Sequence, residues 1–211
     1  NRYLIEVRPG VYEEAITLSN KSYIDIIGSG GPEVTKIVQA DATVLTISGT
    51  RSNVLIKGFN FDITADTTGK TIVSLPASPN TDKLENSYIT WAGTGNSTGV
   101  AITTGSPVLK DIKISDVAKA VTTETGSPML SYSELAATNV GVEVTGGGGT
   151  ITLNYNVINA ANDDIKTSSL TAATVINSAY NLFKSANDNF DIGTLATVNY
   201  YKDTYIKVNT N

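Results

Sequence analysis

The sequence predicts an all-β fold, a single-stranded parallel β-solenoid of about eight coils, because two ladders of apolar residues recur in the same phase. The spacing within the first ladder is too long for one hairpin and too short for a strand, helix and strand unit. The second ladder recurs at a similar spacing, as one coil of a solenoid requires. The first ladder is Ile26, Ile56, Leu84, Leu109, Leu130, Leu153, Ile176 and Val198, and the second is Leu45, Ile72, Val100, Val121, Val142, Ile165 and Phe190.

Repeated loops support this stacking. The tripeptide Gly105-Ser106-Pro107 recurs one coil later as Gly126-Ser127-Pro128, and a third small-residue loop runs from Gly146 to Gly149. The stretch 155–165 matches the stretch 180–190, again one coil later. A helical face through Ile176 and Phe183 is an alternative for this last region, although the match between the two stretches favours a strand and loop repeat.

The first coils are predicted to form a strand, a tight turn at Pro9-Gly10 and further strands as far as Val38. Their pattern, VRPGVYEEAITL followed by YIDIIGSG and TKI, resembles the opening of pectinesterases and, more broadly, of the pectin-lyase-like superfamily. The resemblance covers the opening coils, as far as the region of Asn60, and continues afterwards only as periodicity. It implies a right-handed parallel β-helix with three short strands per coil and a stacked aliphatic interior.

The position two residues after the first ladder predicts a corner with a left-handed backbone. Gly28, Gly58, Asn86 and Asp111 occupy it, and these residue types tolerate positive φ. Tyr132 and Tyr155 occupy it in later coils and break the pattern. Either the turn is reshaped there or the predicted register slips by one residue.

The last coil is predicted to end with strands at 198–201 and 205–208. The repeat continues through residues 1–211, so we expect one elongated domain. The chain begins abruptly in a strand, which predicts a fragment of a larger protein. No apolar run reaches the roughly 20 residues that span a bilayer, so we expect no membrane insertion.

Composition excludes several functions. The net charge of -5 and the three arginines, all at or before Arg51, argue against a nucleic-acid partner. The chain has no cysteine and no histidine, which excludes zinc thiolate sites and serine, histidine and acid triads within it. We therefore expect no cofactor, with calcium as the one candidate ion.

The resemblance to pectinesterases implies an active site with two aspartates, one after a glutamine, beside an arginine and a glutamine. The only glutamine is Gln39, before the middle coils, and no arginine follows Arg51. Pectate lyases use an arginine base, whereas the late coils offer lysines such as Lys119 and Lys166. The catalytic residues that the resemblance implies are therefore missing.

Four carboxylates form the most distinct acidic group in the sequence, namely Asp163, Asp164, Asp188 and Asp191. We expect the two matching stretches to stack on adjacent coils, which would bring these carboxylates close together. Two carboxylates at such a distance can serve as general acid and as nucleophile or base in the hydrolysis of a glycoside. Asp163 and Asp188 are also candidate calcium ligands. The structural alternative, which we favour, is that these loop side chains bond turn amides.

Exposed aromatic rings are the other candidate binding groups, because sugars stack on flat apolar faces. Trp91 starts a polar loop and is either a ligand contact or a cover for the core. Tyr132, Tyr155 and Tyr180 recur at one coil position and form either a carbohydrate-binding row or a row packed on itself.

These observations predict a non-catalytic β-helix module of an extracellular or virion surface protein, similar to a phage tail spike, fibre or adhesin. Its expected partner is a surface polysaccharide or host receptor, and spikes on this fold suggest a homotrimer by analogy. The alternative is a polysaccharide-processing enzyme, resembling a pectinesterase or glycosidase, whose site is completed outside this chain.

Overall fold

The computed structural model describes residues 1–49, 53–65, 69–76, 82–91 and 96–206. Arg51, part of the loop after Trp91 and the end of the predicted strand 205–208 lie outside the described residues. No helix occurs in these ranges, so the described part has no helix that could cross a membrane. The strands are β1 (Tyr3–Val7), β2 (Gly10–Tyr12), β3 (Ile16–Ser19), β4 (Ile24–Gly28), β5 (Thr35–Gln39), β6 (Leu45–Ser48), β7 (Val54–Lys57), β8 (Asn60–Ile63), β9 (Thr71–Leu75), β10 (Lys83–Trp91), β11 (Thr98–Ile102), β12 (Val108–Thr123), β13 (Met129–Ser131), β14 (Glu134–Val144), β15 (Thr150–Asn154), β16 (Val157–Ala160), β17 (Asp163–Thr167), β18 (Thr174–Ala179), β19 (Leu182–Phe183), β20 (Asp188–Asp191), β21 (Ala196–Tyr201) and β22 (Thr204–Tyr205).

Every strand pairing recorded between these strands is parallel, and each coil stacks on the coil before it. The first face contains β1, β4, β7, β13, β15, β18 and β21, joined by the first halves of β10 and β12. The second face contains β2, β5, β8, β16, β19 and β22 with parts of β10, β12 and β14. The third face contains β3, β6, β9, β11, β17 and β20 with the ends of β12 and β14. The predicted all-β solenoid of about eight coils is confirmed.

The first ladder is confirmed from Ile26 to Leu153, with a correction near its end. Leu153 pairs with Ser178, whereas Ile176 pairs with Ile151. Both side chains point inward because strand residues two apart share a face. The ladder prediction at Ile176 was therefore wrong by two positions, since the true rung is occupied by a buried serine rather than an aliphatic residue.

The second ladder also needs one correction. Leu45 and Val100 both pair with Val73, so Ile72 is one position off the rung. Ile72 and Val73 are both buried, because Ile72 lies at the corner just before the rung begins its inward and outward alternation. All later rungs of this ladder, through Ile165 and Phe190, pair as predicted.

The corner after the first face keeps its conformation in the tyrosine coils. Tyr132, Tyr155 and Tyr180 have φ of 55°, 57° and 57°, close to Asp111 at 57°. The turn is therefore neither reshaped nor shifted, and the doubt raised by the sequence is resolved in favour of one register. Left-handed φ costs a tyrosine roughly 1–2 kcal/mol, so compensating contacts are needed at each coil.

Side chains directly after these left-handed residues supply part of that compensation. The Asn156 Oδ1 accepts the Ser133 N–H at 3.0 Å, and the Asn181 Oδ1 accepts the Asn156 N–H at 2.8 Å. The Asp203 Oδ1 continues the series by accepting the Asn181 N–H at 2.7 Å. Each coil thus bonds a backbone donor of the coil before it, where strand pairing is interrupted by the corner.

Candidate functional site

An open groove of about 480 Å³ runs along the second face of the solenoid. Its floor is made of alanines, among them Ala136, Ala160, Ala161 and Ala186, which come from successive coils. In the strand register Ala136 pairs with Asn159, and Ala137 pairs with the buried Ala160, so small side chains on neighbouring coils lie beside each other and leave a depression. The groove therefore follows the solenoid axis.

Polar side chains line the edges of this groove. Ser115 and Asp116 stand at one end, Asn159 lies in the middle, and Lys184 lies at the other end. These four residues offer hydroxyl, carboxylate, amide and ammonium groups in one concave surface. Such a combination suits a ligand with many hydroxyl groups, since each sugar hydroxyl both donates and accepts hydrogen bonds.

A pair of β-bulges places Asp116 at the end of the groove. Between Ile114 and Val117, β12 has one residue more than β14, and between Val117 and Lys119 the extra residue is in β14. Asp116 adopts φ 61° within the first bulge, and its carboxylate accepts a hydrogen bond of 2.9 Å from the Ser115 hydroxyl. Bulges of this kind redirect side chains at the edges of sites.

Asp62 lies on the same outer face, two coils before β12. It pairs with Thr90 in the strand register, and Thr90 in turn pairs with Ser115. Partial burial raises the pKa of Asp62, and the charge of Asp116 raises this pKa further. The Asp116 charge therefore acts on Asp62 from two coils away, and it adds to the larger effect of burial, which the Thr90 hydrogen bond and the Lys36 charge oppose.

The acidic cluster predicted from the sequence is brought together, although its members have different roles. Asp163 pairs with Asp188 in register, and Lys166 pairs with Asp191. The Lys166 ammonium lies 3.2 Å from Asp163 and 2.7 Å from Asp191. Its bonds to Asp191 and Asp163 raise the pKa of Lys166, which keeps the lysine protonated and opposes a role as a base.

Asp164 is fully buried and bonded to backbone. Its Oδ1 accepts the Ala160 N–H at 3.0 Å, and its Oδ2 accepts the Ser185 N–H and the Asn189 amide, both at 2.8 Å. Burial is the largest influence on its pKa and raises it. The carboxylate therefore holds two coils together, and it is closed to a substrate.

The surface beside Asp163 and Asp188 is a shallow polar depression of about 430 Å³. Asparagines bridge its coils, since the Asn162 amide donates to Asn139 at 2.6 Å and the Asn187 amide donates to Asn162 at 2.9 Å. Within the part of the chain that the structure describes, no group of three or more acidic, histidine or cysteine side chains is arranged to hold a metal ion.

Trp91 lies in the core rather than on the surface, which corrects its place among the ligand-stacking candidates. Only 1% of Trp91 is exposed, and its indole N–H donates to the Ala65 carbonyl oxygen at 2.9 Å. Neither face of the ring is open to a sugar. The sequence left this choice open because Trp91 immediately precedes a polar loop.

The predicted tyrosine row exists, and its rings pack on one another. The ring centroids of Tyr132 and Tyr155 are 5.1 Å apart and those of Tyr155 and Tyr180 are 4.8 Å apart, with 1° between the planes in both pairs. Lys202 lies over the Tyr180 ring at 5.7 Å. Both faces of Tyr155 are therefore covered by tyrosine rings, whereas Tyr132 and Tyr180 each stack on one tyrosine in parallel.

A second polar depression of about 290 Å³ lies on the third face. Its charged groups are the exposed Glu124 together with Lys119 and the largely buried Glu143, and the Lys119 ammonium and a Glu143 oxygen are 2.6 Å apart. Ser168 donates a hydrogen bond of 3.1 Å to the other Glu143 oxygen. Lys119 and Glu143 therefore satisfy each other, and Glu124 is the remaining charged group of this depression.

No known protein family matches the sequence, and no curated protein matches it either. Several solved structures do resemble it. The pectin methylesterase of Aspergillus niger, in a penultimately deglycosylated form, matches with a TM-score of 0.71 and 10% identity, over 99% of this chain and 77% of that enzyme.

Two further structures give the same result. The deglycosylated form of the Aspergillus niger enzyme matches with a TM-score of 0.64 and 9% identity, over 97% of this chain and 77% of that chain. The pectin methylesterase of carrot matches with a TM-score of 0.61 and 12% identity, over 97% of this chain and 74% of that chain. The fold of this protein is therefore similar to the right-handed parallel β-helix of these pectin methylesterases.

Proposed function

We propose that this protein binds an extended polysaccharide along the groove on its second face. The observation that carries the proposal is the groove itself, an open, axial depression with an alanine floor and polar edges at Ser115, Asp116, Asn159 and Lys184. Small floor residues let a flat chain of sugar rings approach the sheet closely. The polar edges then satisfy the hydroxyl groups of successive sugars.

The likeness in fold to pectin methylesterases supports a polysaccharide as the ligand class. The identity of 10% to 12% in those two alignments supports nothing about individual residues. The setting that we propose is the outside of a cell or virion, as part of a display or attachment protein. One of the similar solved structures is of a deglycosylated enzyme, which agrees with an extracellular setting.

Binding to a panel of immobilised polysaccharides, including methyl-esterified pectin, tests the proposal. Ala136→Phe fills the floor of the groove with a ring, and we expect it to abolish retention on the polysaccharide that the wild type binds. Ala101→Phe is the matched control, because Ala101 is an outward, half-exposed alanine in β11 on the third face. Equal retention of both variants would contradict binding in this groove.

A second candidate function is enzymatic, and Asp62 with Asp116 is the observation that favours it. Burial, with a smaller effect of the Asp116 charge two coils away, raises the pKa of Asp62 and keeps it protonated to higher pH than usual, so it can act as an acid while exposed Asp116 acts as a base. The sequence-predicted alternative of a polysaccharide-processing enzyme would then use this pair, and the carboxylates of the cluster around Asp164 would have no part in the chemistry.

Turnover assays separate the two candidates. Release of methanol and of reducing ends from the same polysaccharide panel is measured for the wild type, Asp62→Asn and Asp116→Asn. An enzyme loses activity in both variants while Asp188→Asn, an exposed carboxylate outside the groove, keeps it. A pure binding protein shows retention without product in every case.

A further inference from the structure

The tyrosine stack is a chemical feature that glycan binding in the groove does not use. Tyr132, Tyr155 and Tyr180 are 58%, 48% and 40% exposed, although each is stacked on its neighbour. They line the corner between the first and second faces, one tyrosine per coil. Oxidants dissolved in water can therefore reach three phenols that are already in contact.

We propose that this stack is a site of oxidative coupling, in which Tyr155 forms a dityrosine bond to Tyr180 or to Tyr132. The ring separations of 4.8 and 5.1 Å match the spacing between adjacent strands, so the two pairs are held together by the coil repeat itself. The ring planes in both pairs are parallel to within 1°, so each coupling would join two rings that already lie side by side at the spacing of adjacent coils.

The coupling step needs an oxidant, and we assign this role to hydrogen peroxide used by a haem peroxidase. Each phenol gives up one electron and one proton and becomes a phenoxyl radical. The two radicals form one carbon–carbon bond between ortho carbons, and each ring then returns its ortho hydrogen to its oxygen. The protein loses two hydrogen atoms in all, and one peroxide is reduced to two waters.

The stack is better placed for this reaction than the other tyrosine contacts among the described residues. Tyr180 meets Tyr201 at 5.4 Å with planes at 80°, and Tyr200 meets Tyr205 at 6.3 Å with planes at 79°. In such edge-to-face contacts the two ring planes are nearly perpendicular. Coupling there would require a larger rotation of one ring before the bond could form.

Coupling would join neighbouring coils in a chain that has no cysteine and so no disulfide. A bond between Tyr155 and Tyr180 closes a loop that is one coil long. Closing a loop restricts the unfolded chain, which is how covalent cross-links stabilise folded proteins. We therefore expect the midpoint of thermal unfolding to rise after oxidation.

The test treats the purified protein at low concentration with peroxidase and hydrogen peroxide. We expect dityrosine fluorescence from a monomer whose mass has fallen by two hydrogens, with the cross-linked peptides containing Tyr155. Tyr155→Phe keeps the stacked ring but removes the phenol that both couplings need, so it should abolish the intramolecular product and the rise in Tm.

Tyr23→Phe is the matched control. Tyr23 is 50% exposed and has a left-handed φ of 58°, yet it lies in the second coil outside the stack. This variant should give the same yield as the wild type. The proposal is overturned if Tyr155→Phe forms as much intramolecular product as the wild type, if the peptides map to other tyrosines, or if only links between chains form.

Discussion

Replacing Asp164 with alanine tests whether the predicted acidic cluster is structural or catalytic. The Asp164 carboxylate accepts hydrogen bonds from the backbone N–H groups of Ala160 and Ser185, both in a fully buried setting. Alanine leaves these two donors without that partner, and each buried unsatisfied donor costs about 1–3 kcal/mol. Two donors give a loss of roughly 2–6 kcal/mol in the free energy of unfolding.

One effect works in the opposite direction. Burial raises the pKa of Asp164, which means that the folded protein bears a desolvation cost whenever this carboxylate is ionised. Alanine removes that cost, so near neutral pH we expect the lower part of the range, about 2–4 kcal/mol.

The sign of the pH dependence follows from the raised pKa. The folded state holds the proton to higher pH than the unfolded state, whose carboxyl titrates near 3.8. The contribution of Asp164 to stability is therefore complete below that value and falls as the pH rises through the folded pKa. The destabilisation caused by Asp164→Ala should accordingly be larger near pH 4 than near pH 7.

Asp163→Ala is the control for this experiment, because Asp163 is the adjacent residue and another member of the cluster. Its carboxylate pairs with Lys166, which keeps Asp191 as a second partner. We expect a loss of about 0–1 kcal/mol, typical of partly exposed ion pairs. Urea unfolding followed by circular dichroism measures both variants. If Asp164→Ala costs no more than Asp163→Ala, the structural role of Asp164 is refuted.

Three further variants test other parts of the structure. Asp116→Asn should lower the pKa of Asp62 towards the usual range without reaching it, because burial is the larger cause of the shift, and an NMR titration of Asp62 measures this. Trp91→Phe should cost about 1–3 kcal/mol in urea unfolding through lost volume and the lost bond to Ala65, with glycan retention unchanged. Tyr155→Gly should change the free energy of unfolding by less than about 1 kcal/mol, because relief of the left-handed backbone strain offsets the loss of two stacking contacts. A loss above about 2 kcal/mol would show that the backbone strain at this corner is small.

The solenoid and most of its register follow from the sequence because the interior is filled by aliphatic side chains at matching positions. The errors occurred where a rung carries another residue type or two apolar residues adjoin. Ser178 is buried on the rung that aliphatic periodicity assigned to Ile176, and the Asn181 amide donates to its hydroxyl at 3.0 Å. At Ile72 and Val73, both side chains are buried and periodicity alone cannot choose between them.

The groove could not be predicted because its residues form no distinctive pattern in the linear sequence. Asp116 and Lys184 lie far apart along the chain, and only the stacking of successive coils places them along one groove, while Asp62 reaches the same face through the pairing of β8, β10 and β12. The double bulge that turns Asp116 outward leaves no turn motif of glycine or proline at 114–119. The alanines that line the groove are likewise a weak signal, since alanine is common at buried and exposed positions alike.

The predicted acidic cluster and the groove differ in how many hydrogen-bonding groups they leave free for a ligand. A parallel solenoid places equivalent residues of adjacent coils side by side, so repeated polar residues become partners of one another, as in the Asn139, Asn162 and Asn187 series. Repetition makes such residues easy to recognise in the sequence. It also means that their hydrogen-bonding groups are already paired with one another. Groups with capacity left for a ligand should lie where the repeat is broken, and the bulge at Asp116 is such a place. For this fold, interruptions of the coil pattern are therefore better indicators of a binding site than its most regular polar rows.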